Sequence, residues 1–517
     1  MSLSAEARLD AQHGFALIQR GLEFEQQTGI KVNVTKVPFG QLYNEISKDL
    51  SSPTSQYDII AYASQWMVDF AQNNYLERLD TYVSADPLIQ WNDVSRFFRD
   101  FSSKYNGQIY SIPLDGDIHL LYYRLDVLKK YGLTPPRTWD DYLAIAKQLH
   151  GVDMNGDGEG DFGSCISKKA NEQSYWSLLS IAGSFLQSKG TSQGIFFNTK
   201  TMAPLVNNAA FKKALQIYKQ TTEFGSADEL NFDTNDVRYA FINGRCALAI
   251  EWGDIGTMTV LPESKVKNKT GVSILPGSTE VLNRKTNQLE RCNSTLCPFA
   301  MGDINYAPYA AFGGWVGSIN RASTAGKKKL AYEYLSYVTQ PLQSNEDVTI
   351  GATGMNPYRT SQLVNQQSWL KQGMSENTLR FYLGSISKTV NNANIILDLR
   401  TIEDTKMLMG DKPVIVSVTA NKPMIFSEFE SQVEGIVLNF GISTQAVMDI
   451  VSGKQEPSGL LPLQMPANME TVEAQQEDVP FDMIPYQDSE GNTYDFGFGL
   501  DWNGVIKDKR TLKFKKQ

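Results

Sequence analysis

In the first part of the chain, some segments alternate apolar and polar residues as strands do, and others repeat apolar residues at helical spacing. Alternation over Lys31 to Val37 predicts a strand, and the continuous apolar run from Tyr57 to Tyr62 predicts a strand that is buried on both faces. Between them, Leu42, Ile46 and Leu50 recur at helical spacing. Strand, helix and strand in succession predict an α/β fold, in which ligands meet the carboxyl ends of the strands.

The stretch from Gly107 to Leu149 continues with two short apolar strands separated by a polar turn. Pro113 ends the first strand, and the turn that follows carries the carboxylates of Asp115 and Asp117. Thr138 stands where it can cap a later helix.

This stretch resembles a segment of the family 1 extracellular solute-binding proteins, which are the sugar-binding components of ABC importers. The residues that carry the resemblance are Gly107, Tyr110, Ile112, Pro113, Tyr122, Tyr123, Asp126, Lys130, Gly132, Leu133, Pro135, Pro136, Thr138 and Trp139. The resemblance implies a two-lobed, periplasmic-binding-protein-like (type II) fold. It also implies that residues 113–117 cross between the lobes beside a ligand cleft.

The same family pattern continues to about Arg400. Further matches are Tyr57, Asp58, Phe70, Ala71, Leu76, Leu79, Asp80, Phe241, Gly244, Ala247, Trp252, Gly313, Gly314, Trp315 and the loop 351–359. The implied lobes are 1–112 with 302–350, and 113–301 with 351–400. The chain begins almost inside the first helix, Ala11 to Gln27, so we expect the opening strand of the first lobe to be missing.

A sugar offers C–H patches on its faces and hydroxyl groups around its edge, so its recognition needs flat aromatic rings and multidentate polar groups. The candidate rings are Tyr62, Trp66, Trp252 and Trp315. The candidate edge partners are Gln65, Asp115, Asp117, Glu251, Asp254, Asn356 and Arg359. A core position is the commoner role for any single tryptophan, and neighbouring turn carboxylates such as Asp115 and Asp117 are poorly placed to act as a catalytic pair.

One loop has the spacing of a calcium-binding loop of the EF-hand type. Its candidate oxygen ligands are Asp153, Asn155, Asp157, Glu159 and Asp161. The twelfth position is Ser164 rather than a bidentate Glu, which predicts weaker affinity. The prediction is a structural Ca2+ ion, and the alternative is a polar Gly-Asp turn without metal.

The four cysteines allow several interpretations. Cys292 and Cys297 enclose a short loop and could form a local disulfide, which would leave Cys165 to pair with Cys246. A zinc site is disfavoured because the chain has three histidines and no C-x-x-C motif. Buried free thiols remain an alternative.

The composition is that of a globular protein with two or three domains: 517 residues, 41% apolar and 20% charged. A net charge of −9 gives no basis for binding nucleic acid or anionic membranes. The N-terminus lacks a basic-then-apolar signal. A periplasmic or extracellular location is therefore what the family implies, with membrane contact only through a permease or a lost lipid anchor.

The final segment has a different character. Residues 411–502 resemble the end of a glycoside hydrolase family 3 β-glucosidase, a partial α/β sandwich domain. The matching stretches are 411–426, 435–453, 457–466, 477–486 and 490–502. In that family the nucleophile lies in an N-terminal barrel and the acid/base Glu lies upstream of this part, so no carboxylate in 401–517 matches either role. We therefore expect no hydrolysis, and a hybrid chain joined near Arg400 rather than a natural fusion.

The sequence thus predicts a carbohydrate-binding receptor that delivers its ligand to an ABC permease without chemistry of its own. The first alternative is a carbohydrate-active hydrolase that works through the C-terminal segment. The second is a hybrid whose lobes do not close.

Overall fold

The structure is a computed structural model, which describes residues 2–6, 12–52, 56–170, 172–190, 194–198, 201–307, 313–350, 353–409, 412–420, 423–427, 429–440, 442, 444–476, 479 and 481–514. The chain divides into two compact units, Met1–Asn394 and Ile395–Gln517. The first unit contains both lobes, and the second contains the C-terminal segment that resembles part of a glycoside hydrolase.

Strands and helices alternate through most of the first unit. The strands are β1 (Ser2–Glu6), β2 (Asn33–Val37), β3 (Ile59–Ala63), β4 (Lys104–Tyr105), β5 (Gln108–Ile109), β6 (Ile112–Pro113), β7 (Leu120–Arg124), β8 (Phe162–Ile166), β9 (Cys246–Glu251), β10 (Thr270–Ser273), β11 (Glu280–Asn283), β12 (Gln288–Arg291), β13 (Trp315–Ile319), β14 (Ile415–Thr419), β15 (Gly435–Asn439), β16 (Leu500–Asp501) and β17 (Gly504–Val505).

The α-helices are α1 (Gln12–Thr28), α2 (Phe39–Leu50), α3 (Met67–Gln72), α4 (Asp80–Ala85), α5 (Leu125–Lys130), α6 (Trp139–Leu149), α7 (Ser174–Leu186), α8 (Ala209–Thr221), α9 (Thr234–Ile242), α10 (Asp254–Met258), α11 (Ala325–Thr339), α12 (Pro341–Thr349), α13 (Thr360–Val364), α14 (Gln366–Lys371), α15 (Glu376–Met409), α16 (Thr444–Val451) and α17 (Met469–Glu473). Among the described residues, no helix is both long enough and apolar enough to cross a membrane.

The first lobe is built on a sheet with the strand order β2-β1-β3-β13-β6. β1 runs parallel to β2 and β3, whereas β13 runs antiparallel to β3 and β6. Every residue of β3 and β13 is buried. This explains why β3 reads as a continuous apolar run in the sequence, since helices cover both faces of such a sheet.

The second lobe is built on a sheet with the strand order β10-β7-β9-β8. β7 runs antiparallel to both neighbours, and β8 runs parallel to β9. Helix α6 lies against this sheet and begins with a capping box, in which Thr138 accepts from the backbone N–H of Asp141 and the Asp141 side chain accepts from the N–H of Thr138. The predicted cap at Thr138 is present.

The expectation that the first lobe lacks its opening strand is wrong. Residues Ser2–Glu6 form β1, which lies between β2 and β3 in the sheet. The segment has only five residues, with Leu3 and Ala5 as its apolar positions, and its backbone pairs with parallel neighbours on both sides.

Two residues near the crossings make contacts with the other of the two lobe ranges that the resemblance implies. Asn305 pairs with Ser278 in the second lobe and donates to the backbone carbonyl of Ser184 there. Conversely, Gln362 donates to Ser344 in the first lobe.

The C-terminal unit contains a pair of parallel strands, β14 and β15, with helices α16 and α17 later in the chain. Its small core includes Phe426, Phe429 and Met465, packed against partly buried side chains of the same unit. β16 and β17 form a short hairpin near the end. Between β14 and β15 the described residues form a short 3-10 helix, Glu430–Gln432, and no α-helix, so α16 is the first α-helix after the strand pair.

Candidate ligand-binding site

Three chain segments cross between the lobes side by side. The first follows β6, the second precedes β13, and the third contains Asn356. The N–H of Asn356 donates to Asp115 Oδ1 at 2.6 Å, and the N–H of Gly116 donates to the carbonyl of Asn356 at 3.1 Å. The crossings are close-packed, because a Cβ atom at Gly116 would lie 2.1 Å from the carbonyl oxygen of Pro357.

Four carboxylates gather beside these crossings with one guanidinium. We call this set the acid cluster, and its members are Asp115, Asp117, Arg238, Glu251 and Asp254. Each of the four carboxylate residues is at most 3% exposed, and Arg238 is 9% exposed. Arg238 Nη2 lies 3.0 Å from Asp254 Oδ2 and 3.4 Å from Glu251 Oε1, so one cation serves two anions.

Asn356 links the first crossing to the second lobe. Its Nδ2 donates to Asp117 Oδ1 at 3.0 Å and lies 3.4 Å from Asp254 Oδ2. Asp254 begins α10, which directly follows the strand β9 that ends at Glu251. The acid cluster is therefore at the carboxyl end of a strand, where ligands meet α/β sheets.

Burial shifts the protonation of the acid cluster. It raises the pKa of Asp117 well above its usual range, and the neighbouring charges of Asp115 and Asp254 add to the rise. Burial also raises the pKa of Glu251 to about 7, although Arg238 opposes the shift. The cluster therefore holds protons at pH values where exposed carboxyls have lost them.

The indole of Trp252 lies beside the acid cluster, and a hydrogen bond and two ring contacts fix its position. Its Nε1 donates to Gln173 Oε1 at 2.6 Å, and its backbone carbonyl accepts from Tyr122 Oη at 2.7 Å. The ring centroid of His119 lies 3.7 Å from that of Trp252, and Trp176 packs edge-on at 5.4 Å. Trp252 thus has a fixed orientation next to the carboxylates.

His119 is structural in this arrangement. Its Nδ1 lies 2.7 Å from Ser180 Oγ, and the ring is 3% exposed. Burial lowers the pKa of His119 to about 3, and Arg238 contributes in the same direction. The imidazole is therefore neutral at physiological pH.

First-lobe aromatic rings face Trp176 across the lobe boundary. Phe39 stacks on Trp66 at 5.7 Å between ring centroids and contacts Trp315 at 6.1 Å. The same Phe39 ring lies 5.6 Å from Trp176 in the second lobe. Gln65 Nε2 reaches Tyr175 Oη at 3.5 Å. Trp66 and Trp315 therefore lie on the first-lobe side of one aromatic group that spans both lobes.

Tyr62 and Arg359 lie in other surroundings. Tyr62 Oη shares a hydrogen bond of 2.8 Å with Ser318 within the first-lobe sheet, where the ring is fully buried. Arg359 Nη2 donates to the carbonyl of Ile89 at 2.9 Å, and its Nη1 lies 3.4 Å from Asp93 Oδ2. The structure thus places both side chains in first-lobe contacts rather than in the acid cluster.

The sequence reasoning missed Gln173, Arg238 and Tyr382, which contact or adjoin the cluster. Arg238 was inside a segment that matched the family pattern, at a position that the pattern leaves open. Its proximity to Glu251 and Asp254 depends on how α9 packs against β9. No signal in the sequence specifies such a packing between separate elements.

The predicted calcium loop folds as a tight series of turns. Asp153 accepts from the N–H groups of Gly156 and Gly158, at 2.6 and 3.0 Å. Asp161 accepts from the N–H of Met154 at 2.7 Å and pairs with Arg245 at 3.3 Å. Within the described part of the chain, no three acidic, histidine or cysteine residues form a group that could hold a metal ion. Calcium binding therefore stays a prediction.

Both pairings considered for the cysteines occur as disulfides. Cys165 on β8 joins Cys246 on the adjacent strand β9, with 6.0 Å between their Cα atoms. Cys292 joins Cys297 within its short loop, with a Cα separation of 5.4 Å. The zinc and free-thiol interpretations do not apply to this structure.

Comparison with known proteins places the chain in a family. The sequence profile of the bacterial extracellular solute-binding proteins matches residues 14–343, which is more than half of the chain. The chain belongs to this family. A second profile, that of the glycosyl hydrolase family 3 C-terminal domain, matches residues 392–502.

Individual relatives are distant. A solute-binding protein from Agrobacterium radiobacter K84, solved in complex with ribitol, is 18% identical with a TM-score of 0.60, over 79% of this chain and 92% of that one. A putative binding protein of Brucella abortus is 24% identical over 267 residues, 51% of this chain and 59% of the relative. The chain thus spans about three fifths of the length of that curated relative.

The C-terminal segment matches a different protein. Beta-glucosidase C of Emericella nidulans is 33% identical over 90 residues, which are 17% of this chain and 14% of the fungal protein. This chain thus carries a short hydrolase-like segment after its solute-binding part.

Proposed function

We propose that this chain is an extracytoplasmic receptor that binds a sugar or sugar alcohol between its two lobes and presents it to an ABC permease. The observation that carries the proposal is the fixed indole of Trp252 beside the buried carboxylates. An aromatic face can pack against the C–H patches of a sugar, while carboxylates and amides accept or donate at its hydroxyl groups. Membership of the solute-binding family and the ribitol complex of the Agrobacterium relative support the same ligand class.

The crossings give the receptor a hinge. Three segments run between the lobes, and hydrogen bonds from the N–H groups of Asn356 and Gly116 join the first segment to the third. Lobes joined in this way close around a ligand by rotating about a few residues at the crossings. Gln65 of the first lobe already reaches Tyr175 of the second lobe, so opening of the lobes would separate these two side chains.

Not all candidate residues have the same role in this proposal. Trp66, Trp252 and Trp315 supply apolar faces, and the acid cluster together with Asn356 supplies polar partners. Tyr62 and Arg359 instead stabilise the first lobe, because their polar atoms already bond within it. The proposal therefore excludes these two from direct ligand contact.

Thermal unfolding with a panel of neutral sugars and polyols tests the function. A ligand that binds only the folded state raises stability by about 2.7 kcal/mol at one hundred times its dissociation constant. Trp252→Phe should weaken this stabilisation, since the ring shrinks and the bond to Gln173 is lost. Trp502→Phe is the matched control, because Trp502 is 60% exposed in the C-terminal unit.

A cooperative melt that no carbohydrate or polyol shifts would contradict the receptor proposal. Failure of the wild-type chain to melt cooperatively would instead support the interpretation of a non-functional hybrid.

For the C-terminal unit we propose no hydrolytic activity. Its β-glucosidase likeness covers 14% of the fungal protein. The resemblance to the family implies that the nucleophile and the acid/base Glu lie outside this part. A chromogenic β-glucoside incubated with the full chain should give no turnover above buffer. Turnover that a carboxylate substitution within 401–517 abolishes would establish the hydrolase alternative instead.

A further inference from the structure

The acid cluster carries an unbalanced charge. Four carboxylates, each in a residue at most 3% exposed, surround the guanidinium of Arg238, whose side chain is 11% exposed. Buried charges are stable only when they are paired, protonated or bound to a counter-ion. Arg238 reaches Glu251 and Asp254, so it offsets part of the negative charge.

Buried acceptor atoms beside the cluster lack partners among the described residues. Asp254 Oδ1 and Asn356 Oδ1 are inaccessible to solvent and make no hydrogen bond. The Asn356 amide cannot turn around to remedy this, because its Nδ2 donates to Asp117 and lies against Asp254. Two acceptors in an anionic environment need a donor with several N–H groups, and a cationic donor suits them best.

A buried hydroxyl group lies close to these two acceptor atoms. Tyr382 Oη is buried without a hydrogen-bond partner in the described structure. A Cβ atom built on Gly253 would lie 2.1 Å from Asn356 Oδ1 and 3.2 Å from Tyr382 Oη, so both atoms adjoin the same glycine. The free hydroxyl and the free acceptors can therefore be met together by a ligand with both hydroxyl and amine groups.

We propose that the solute of this receptor carries a protonated amine on a polyol or sugar skeleton, and that the ammonium group binds in the acid cluster. This inference rests on the proposed receptor function and specifies its ligand class. A bare metal ion fits less well, since the described residues contain no group of three or more acidic, histidine or cysteine side chains with metal-binding geometry.

The surroundings of the cluster predict proton release on binding. Burial, with Asp115 and Asp254, raises the pKa of Asp117, and burial raises that of Glu251 to about 7 against the effect of Arg238. The other titratable groups facing the cluster stay neutral: His119, Tyr122 and Tyr382. An arriving ammonium group favours ionised carboxylates, so protons leave Glu251 and Asp117 for the buffer.

The test is calorimetry on the full chain with matched ligand pairs. The pairs are ribitol with 1-amino-1-deoxyribitol, sorbitol with 1-amino-1-deoxysorbitol, and glucose with glucosamine. We expect the amine of at least one pair to bind at least about tenfold tighter than its neutral partner, as charge-assisted hydrogen bonds require. We also expect its affinity to rise from pH 5 to pH 7, with protons released to the buffer at pH 6.

Substitutions in the acid cluster test whether it is the source of the preference for the amine ligand. Glu251→Gln and Asp254→Asn, each checked for a cooperative melt, should reduce the amine preference at least fivefold. Glu280→Gln is the control, because Glu280 is exposed outside the cluster, and it should leave the preference unchanged.

The outcomes separate the two proposals. If the neutral member of every binding pair binds as tightly as its amine, the amine assignment is overturned and the receptor function stands. If neither member of any pair binds, nor any solute of the neutral panel, both fall. An amine preference that survives in both cluster variants would place the ammonium group elsewhere and overturn the assignment.

Discussion

A Cβ atom placed on Gly314 would lie 1.9 Å from the carbonyl oxygen of Asp115. Gly314 precedes β13 on the second crossing, and Asp115 lies on the first. Gly314 also has a φ of +80°, a conformation that favours glycine. The close approach of two crossings thus depends on the absence of a side chain.

Gly314→Ala should therefore destabilise the first unit by about 3 kcal/mol or more, through both clash and backbone strain. Gly326→Ala is the matched control. Gly326 lies in α11 with no atom within 4 Å of an added Cβ, so alanine there should be neutral or stabilising by up to about 1 kcal/mol. Urea unfolding of both variants measures the difference, and equal stabilities would contradict the packed-crossing interpretation.

The two disulfides should differ in their contributions to stability. Cys165 and Cys246 are 81 positions apart, whereas Cys292 and Cys297 are 5 apart. Closing the longer loop removes more entropy from the unfolded chain, about 4 to 5 kcal/mol against about 2 kcal/mol for the short loop.

The double variant Cys165→Ala/Cys246→Ala should consequently lower the melting temperature more than Cys292→Ala/Cys297→Ala. Each double variant serves as the control for the other, since both remove one bridge and leave no unpaired thiol. A larger loss for the 292–297 pair would contradict the prediction.

Glu251 should make stability depend on pH. Burial raises its pKa to about 7 in the folded chain, above the value of about 4.5 for an exposed Glu, despite the nearby Arg238. The folded state therefore binds this proton more tightly, and stability falls as pH rises from about 4.5 to about 7. The full shift corresponds to about 3 kcal/mol.

Glu251→Gln should flatten this part of the profile of unfolding free energy against pH, because glutamine does not titrate. Glu280→Gln provides the comparison on an exposed side chain and should leave the slope in place. An unchanged slope in the Glu251 variant would show that other groups set the pH dependence.

We propose that the loop from Asp153 to Asp161 binds Ca2+. Its carboxylates accept backbone N–H bonds in the structure, at Gly156 and Gly158 among others, and an ion would compete for the same oxygens. Excess Ca2+ should raise the melting temperature by a few degrees at most, since position twelve is Ser164 rather than Glu.

Asp157→Ala should abolish the calcium response, because Asp157 is an exposed loop residue with a predicted ligand oxygen. Asp228→Ala, exposed elsewhere in the second lobe, is the control and should retain it. A response to Ca2+ that persists in the Asp157 variant would locate the ion at a different site.

Several elements were predictable because their signals are local. The Thr138 cap, the buried run that became β3 and the helical spacing in α2 each depend on residues within a few positions of one another. Strand β1 was missed for the same reason. Its alternation is only five residues long, with Leu3 and Ala5 as the apolar positions, and its pairing partners β2 and β3 lie far along the chain.

The candidate site was predicted only in part. Asp115, Trp252 and Asn356 were selected through the family resemblance, and they do adjoin one another in the fold. Arg359 was selected in the same way, yet it bonds within the first lobe. A motif identifies positions, but the direction of a side chain depends on which elements pack beside it.

The sequence by itself determined the family, the two-part organisation and the chemical types of the candidate ligand contacts, because these are carried by local patterns and motifs. The tertiary structure decided the charge balance of the site. Asn356 meets Asp117 across 239 positions and Asp254 across 102, and Arg238 joins them from a separate helix. Burial and the convergence of distant crossings set the pKa values there, and neither is encoded in the spacing of residues along the chain.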